Sequence, residues 1–249
     1  KRHYPVQFFA ALLNSVSSDS GKVAEYSQYC RKHGIPLLPP DINQSVRKFS
    51  VGKNAEGVSG IRFGLGAIKS CGDKAIDSII EQRRRGGPYK DIFDFCTRMD
   101  SEQVNKRVVE SLILSGAMDC TGAKRTQLMA VYERALDGAN KKRRSNVAGQ
   151  LSLFGDGLLD EVKPTLPDIP EYNLRMMLSL EKNVTGLYIS GHPLGDYGKA
   201  LSALDMNTAR LAELLEAPDH GLSSDGMRVR MGGMLTEVRQ KANQKGNLK

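Results

Sequence analysis

The chain has 249 residues, of which 40% are hydrophobic; its formal net charge is +8 and its pI about 9.3. That is enough apolar material to build a core for one or two domains, and it contains no run that would span a membrane. The cation excess suits a polyanionic partner, and four isolated cysteines (Cys30, Cys71, Cys96, Cys120) exclude a disulfide framework or zinc cluster; they read as small buried hydrophobes in a reducing, cytoplasmic compartment.

The opening Lys1-Arg2-His3-Tyr4-Pro5 carries no initiator methionine and no hydrophobic signal segment, so the sequence reads as a piece of a longer protein. Val6, Phe9, Ala10 and Leu13 recur at helical spacing, which predicts a short amphipathic helix from Pro5 to Val16. A second helix is expected from Lys22 to His33, stopped by Gly34. Pro36, Pro39 and Pro40 then force an extended strap. Val58 to Phe63 reads as a short strand, and Gly64-Leu65-Gly66 leads out of it.

From Ile61 to Met129 the pattern of helix, glycine-bearing turn and helix occurs twice. The first turn is Ile68-Lys69-Ser70-Cys71-Gly72-Asp73-Lys74-Ala75, followed by a helix with Ala75, Ile76, Ile79 and Ile80 on one face. The second copy has Val104, Val108, Val109, Leu112 and Ile113 on its first stripe. It turns at Ser115 to Gly122 and continues into a helix carrying Leu128, Val131, Tyr132 and Ala135. Such a turn points unsatisfied backbone N–H groups and the positive end of a helix dipole outward, where a phosphate fits. On this reasoning Lys69, Ser70, Gly72 and Lys74 in the first copy, and Gly116, Gly122, Lys124 and Arg125 in the second, are the candidate ligands for a DNA backbone. Ordinary helical hairpins with glycine at the turn are the plain alternative. Between the copies, the basic run Gln82 to Lys90 reads as a cationic helix end, and Phe93 and Phe95 as core anchors.

Asp137 to Ser145, with Lys141-Lys142-Arg143-Arg144, is nearly free of core residues and is expected to be solvated. Within the polar stretch that follows, Gln150-Leu151-Ser152-Leu153-Phe154 forms an apolar cluster with no evident core to enter, as a peptide that docks into a partner's pocket would. Pro164 to Tyr172 should be extended, Leu174 to Leu187 helical, Ser190 to Leu194 a turn, and Thr208 to Leu215 a short helix. Met227 to Arg239 alternates as a strand. The acidic groupings, such as Asp160-Glu161, sit in linker-like sequence and do not form a set that would hold two catalytic metal ions.

Four stretches carry a resemblance: Tyr4 to Asn14, Gly34-Ile35 with Pro39 to Asn43, Phe63 to Lys69, and Leu112 to Asp119. Together they closely resemble the bacterial C-family replicative polymerases, the DNA polymerase III alpha subunit family, from one end of the chain to the other. The resemblance implies a mainly α fold. It divides into the end of the fingers domain (1–51), a tandem helix-hairpin-helix domain (52–140), a linker with a clamp-binding motif (141–200) and the truncated β start of an OB-fold (201–249). It also implies duplex DNA, the bacterial beta sliding clamp and other replisome subunits as partners, with Gln150, Leu151, Ser152, Leu153 and Phe154 matching the clamp motif. DNA-directed DNA polymerase activity, a nucleotidyl transfer that uses Mg, is implied for the intact enzyme only; the catalytic aspartates are expected in a palm domain upstream. This piece is therefore expected to need no cofactor. The family commonly carries Gly-Val-Gly where Ser70-Cys71-Gly72 stands, which favours the second hairpin as the phosphate site. A translesion paralogue of the same family and a helix-hairpin-helix repair module are the alternative readings.

Overall fold

In the computed structural model, residues 2–100, 102–147, 165–216 and 226–235 are described. They fall into two compact units, Lys1–Gly191 and His192–Lys249.

The first unit opens with α1 (Pro5–Ser15) and α2 (Ser20–Lys32), and Asp19 caps α2 by accepting from the amides of Gly21 and Lys22 at 3.0 and 3.1 Å. The expected strap contributes a strand. Leu37–Leu38 (β1) pairs parallel with Ser59–Arg62 (β3), which pairs antiparallel with Ser50–Lys53 (β2), giving the order β1-β3-β2. The prolines around β1 restrict pairing to its two residues. Asn14 ties α1 to this sheet, donating to Phe49 O and accepting from Phe49 N, both at 2.8 Å.

The rest of the unit is helical: α3 (Asp73–Gly86), α4 (Ile92–Arg98), α5 (Lys106–Leu114), α6 (Arg125–Val147) and α7 (Leu174–Thr185). One core runs through all of it, from Phe9 and Leu13 through Ile61, Phe63, Ile76 and Phe95 to Leu112, Leu128, Leu187 and Ile189. The fold is mainly α, as expected.

Three boundaries differ from the expected ones. Position 51/52 falls inside β2, 140/141 inside α6 and 200/201 inside α8 (Gly198–Ser202). The sheet that joins β2 to β3 makes the N-terminal helices and the hairpins a single body, because a strand cannot be divided from its ladder without orphaning backbone groups. The charged stretch 137–145, expected to be solvated and nearly free of core residues, lies within helix α6, which is anchored by Leu128, Val131 and Leu136 in the core.

In the second unit, α8 and α9 (Thr208–Leu215) are accompanied by residues 226–235. Asn207 caps α9 at Arg210 N, and Arg230 pairs with Asp205 at 2.8 and 3.0 Å. The strand expected from Met227 is not formed over the described residues 227–235. Alternation alone does not make a strand without a neighbouring chain to take its hydrogen bonds.

Candidate nucleic-acid interface

The sequence proposes two phosphate sites, and they fold differently. In the first hairpin the leading helix is a single 3-10 turn, Leu65–Ala67. The turn is pinned by Lys69 N donating to Val184 O at 2.8 Å, and Ser70 adopts a left-handed backbone with φ 66°. Gly72 then precedes α3 in extended conformation, and a Cβ placed on it would meet only open space. Nothing in the protein's own packing requires glycine there.

The start of α3 is bare. Helices α2, α4, α5, α7 and α9 each have a side-chain cap from Asp19, Asp91, Asn105, Asn173 or Asn207. Gly72 supplies none, and among the described residues the amides of Asp73, Lys74 and Ala75 have no hydrogen-bond partner. Lys69 and Lys74 flank them, exposed and without ion pairs among the described residues. Exposed donors, a helix dipole and two uncommitted ammonium groups converge on one patch.

The second hairpin is closed by the protein itself. The Glu171 carboxylate accepts from Arg125 N at 2.7 Å and Thr126 N at 3.3 Å, at the place where an anion would bind the start of α6. The segment around it is laced to the same turn. Lys124 Nζ donates to Ile169 O at 3.0 Å, Thr126 Oγ1 to Pro170 O at 2.9 Å and Gln127 Nε2 to Pro167 O at 2.8 Å. A carboxylate on free helix amides contributes about 1 kcal/mol, as any good N-cap does.

Arg125, expected to face a phosphate, is internal. Its side chain is 2% exposed and forms ion pairs with Asp119 at 2.7 Å and with the fully buried Glu181 at 2.9 Å. Burial alone would lower its pKa, but the hydrogen bonds and charges of Asp119 and Glu181 outweigh that and raise it above the ordinary arginine value. Glu181 also accepts from Ile189 N and Ser190 N, at 3.0 and 2.9 Å. Gly116, at φ 81°, is explained by the same arginine, since a Cβ there would run into the guanidinium and Asp119. Gly122, at φ 78°, closes its turn in open space.

Arg83, in the basic run between the hairpins, donates to Ile42 O and Ser45 O at 2.8 and 3.0 Å, while Arg84 and Arg85 pair with Glu81; the run is a structural helix end. Cys30, Cys71 and Cys96 are buried as expected, whereas Cys120 lies on the surface. Burial pushes the thiols of Cys71 and Cys96 up to about 12. No described helix is long and apolar enough to cross a membrane.

Residues 34–128 match the family described as "Helix-hairpin-helix motif". The whole chain aligns with DNA polymerase III subunit alpha of Thermus aquaticus at 38% identity, covering 100% of this chain and 19% of the relative. The same protein from Mycobacterium leprae is 38% identical over 99% of this chain and 20% of its own length, and that from Vibrio cholerae 38% identical over 81% and 17%. The chain belongs to the DNA polymerase III alpha family. It spans about one fifth of the length of these curated relatives.

In this DNA polymerase III alpha family member, then, Lys69, Ser70, Gly72 and Lys74 lie together at an open turn. Gly116, Lys124 and Arg125 gather at a turn that is already occupied. Gln150, Leu151, Ser152, Leu153 and Phe154 lie outside the described residues. The sequence reading did not single out Glu171 or Glu181. For Glu181 a signal existed, since it shares a helix face with Leu178 and Val184, and a lone carboxylate on an apolar face needs a buried cation. Glu171 offered no comparable signal.

Proposed function

We propose that this chain holds duplex DNA by its sugar-phosphate backbone at the first hairpin, as part of the alpha subunit of a replicative polymerase. The observation that carries the reading is the uncapped start of α3 between Lys69 and Lys74. Amides and ammonium groups recognise phosphate without reading bases, so the contact positions a duplex and leaves its sequence unread. The open space over Gly72 lets a phosphate approach the backbone closely. Gln150 to Phe154 is the peptide that docks on the beta sliding clamp; a pentapeptide anchor of micromolar strength gains from being tethered to a DNA-bound body, which raises its effective concentration to about millimolar. Processive synthesis by the intact enzyme follows from that linkage, with polymerisation itself supplied by other parts of the subunit.

Two titrations test the reading. Fluorescence anisotropy of a labelled duplex should show binding that weakens as salt rises, and the Lys69→Ala/Lys74→Ala variant should bind more weakly with a shallower salt slope. Equal binding by variant and wild type would sink the first-hairpin assignment. Separately, the chain should bind a bacterial sliding clamp and the Leu153→Ala/Phe154→Ala variant should not; binding by both would remove the peptide from the interface.

A further inference from the structure

Within the patch just described, α3 also begins with two acids. Asp73 opens its first turn and Asp77 stands one turn further on, 76% and 65% exposed. Left alone they would balance Lys69 and Lys74 and repel a polyanion. They are not left alone. Arg47 reaches α3 from the loop before β2, pairs with Asp73 through NH1 and hydrogen-bonds Asp77 through NH2 at 2.5 Å.

The position of Arg47 is fixed by the backbone, not by the ion pairs. Gly66 N donates to Arg47 O and Leu65 N to Val46 O, both at 2.9 Å. The loop lies so close to the chain entering the hairpin that a Cβ on Gly64 would sit 2.6 Å from Arg47 O, and one on Gly66 2.9 Å from it. These contacts are made by backbone atoms, so truncating the guanidinium leaves them in place. Gly64 and Gly66 thus deliver a third cation to a turn that would otherwise be electrically neutral.

We propose that Arg47 is a positioning residue for phosphate at the first hairpin: by occupying the carboxylates of Asp73 and Asp77, it leaves the amides of α3 and the ammonium groups of Lys69 and Lys74 facing DNA with a net positive charge. The inference rests on the duplex-binding reading above. Arg47 acts through the two aspartates and makes no phosphate contact of its own, which distinguishes it from Lys69 and Lys74. Its removal therefore unmasks repulsion, and removing the source of that repulsion restores binding.

The experiment measures duplex affinity of the full 249-residue chain at low salt for wild type, Arg47→Ala, Asp73→Asn/Asp77→Asn and the triple variant, with thermal melting to confirm folding. Arg47→Ala should weaken binding about fivefold at low salt, an effect of a size typical for an exposed charge beside a helix terminus that shrinks as salt screens it. The triple variant should return to wild-type affinity or better. A loss that the triple variant fails to recover would mean that Arg47 contacts phosphate directly or only supports the fold, and would overturn the inference; so would Arg47→Ala binding like wild type. No duplex binding by wild type at any salt would instead overturn the parent reading, and this inference with it.

Discussion

The two hairpins of this protein share a turn, a glycine and a pair of cations, yet one is open and the other filled. At the first, the amides of Asp73, Lys74 and Ala75 have no partner among the described residues. At the second, Glu171 holds the amides of Arg125 and Thr126, and Arg125 is committed to Asp119 and Glu181. The same local motif is therefore left open in one copy and built into a structural joint in the other. What decides between them is a segment some 45 residues further along the chain that returns to one copy and not to the other. A repeated motif does not imply a repeated function.

The strongest way to break this comparison is to attack the joint. Glu181→Ala should destabilise the first unit by about 3–5 kcal/mol, because it removes the buried one of Arg125's two counter-ions and orphans the amides of Ile189 and Ser190, and urea unfolding would measure it. A loss under about 1 kcal/mol would mean that Arg125 is free to turn outward. Next comes the open site: Lys69→Ala/Lys74→Ala should flatten the slope of log K against log salt by about 2, whereas Lys124→Ala should leave it unchanged, since Lys124 is engaged with Ile169. A third test uses pH. The folded-state pKa values of Cys71, beneath the first turn, and Cys96 are raised from 9.0 to about 12, so the unfolded chain releases these protons first. Stability is then fully present below pH 9 and declines from there toward pH 12; Cys71→Ala should flatten that decline in unfolding curves collected between pH 8 and 10.5. Glu171→Gln should cost about 1 kcal/mol and leave duplex affinity no weaker than before. The smallest effect is expected at Ser70, whose left-handed φ suits glycine: Ser70→Gly should stabilise by about 0.5–1 kcal/mol in the same unfolding assay.

What the sequence made legible was local. Periodicity located α1, α2, α3, α5, α7 and α9, and Gly34 at φ 71° ends α2 as its position predicts. The open turn at Lys69, Gly72 and Lys74 was legible for the same reason, since a helix start and its flanking cations are consecutive residues. Long-range pairing was not legible. Lys124 and Arg125 repeat the cationic pattern of the first turn, and only the distant Glu171 and Glu181 turn them inward. The departure at Ser70-Cys71-Gly72 weighed against the first hairpin in the sequence, but Ser70 has the backbone conformation that glycine would take and Gly72 keeps its open approach. Helix α6 extends through a charged run because its buried face lies earlier, at Leu128 to Leu136.

The Arg125–Glu181 pair also determines where the protein can be cut. The helix-hairpin-helix match ends at residue 128, and α6 ends at Val147, so either point invites dissection of the hairpin region. A polypeptide stopped at either place would lack α7, leaving Arg125 without its buried counter-ion and the start of α6 without the Glu171 carboxylate. The compact unit that holds both partners runs to Gly191, and shorter recombinant versions should be recovered as insoluble or partly unfolded material.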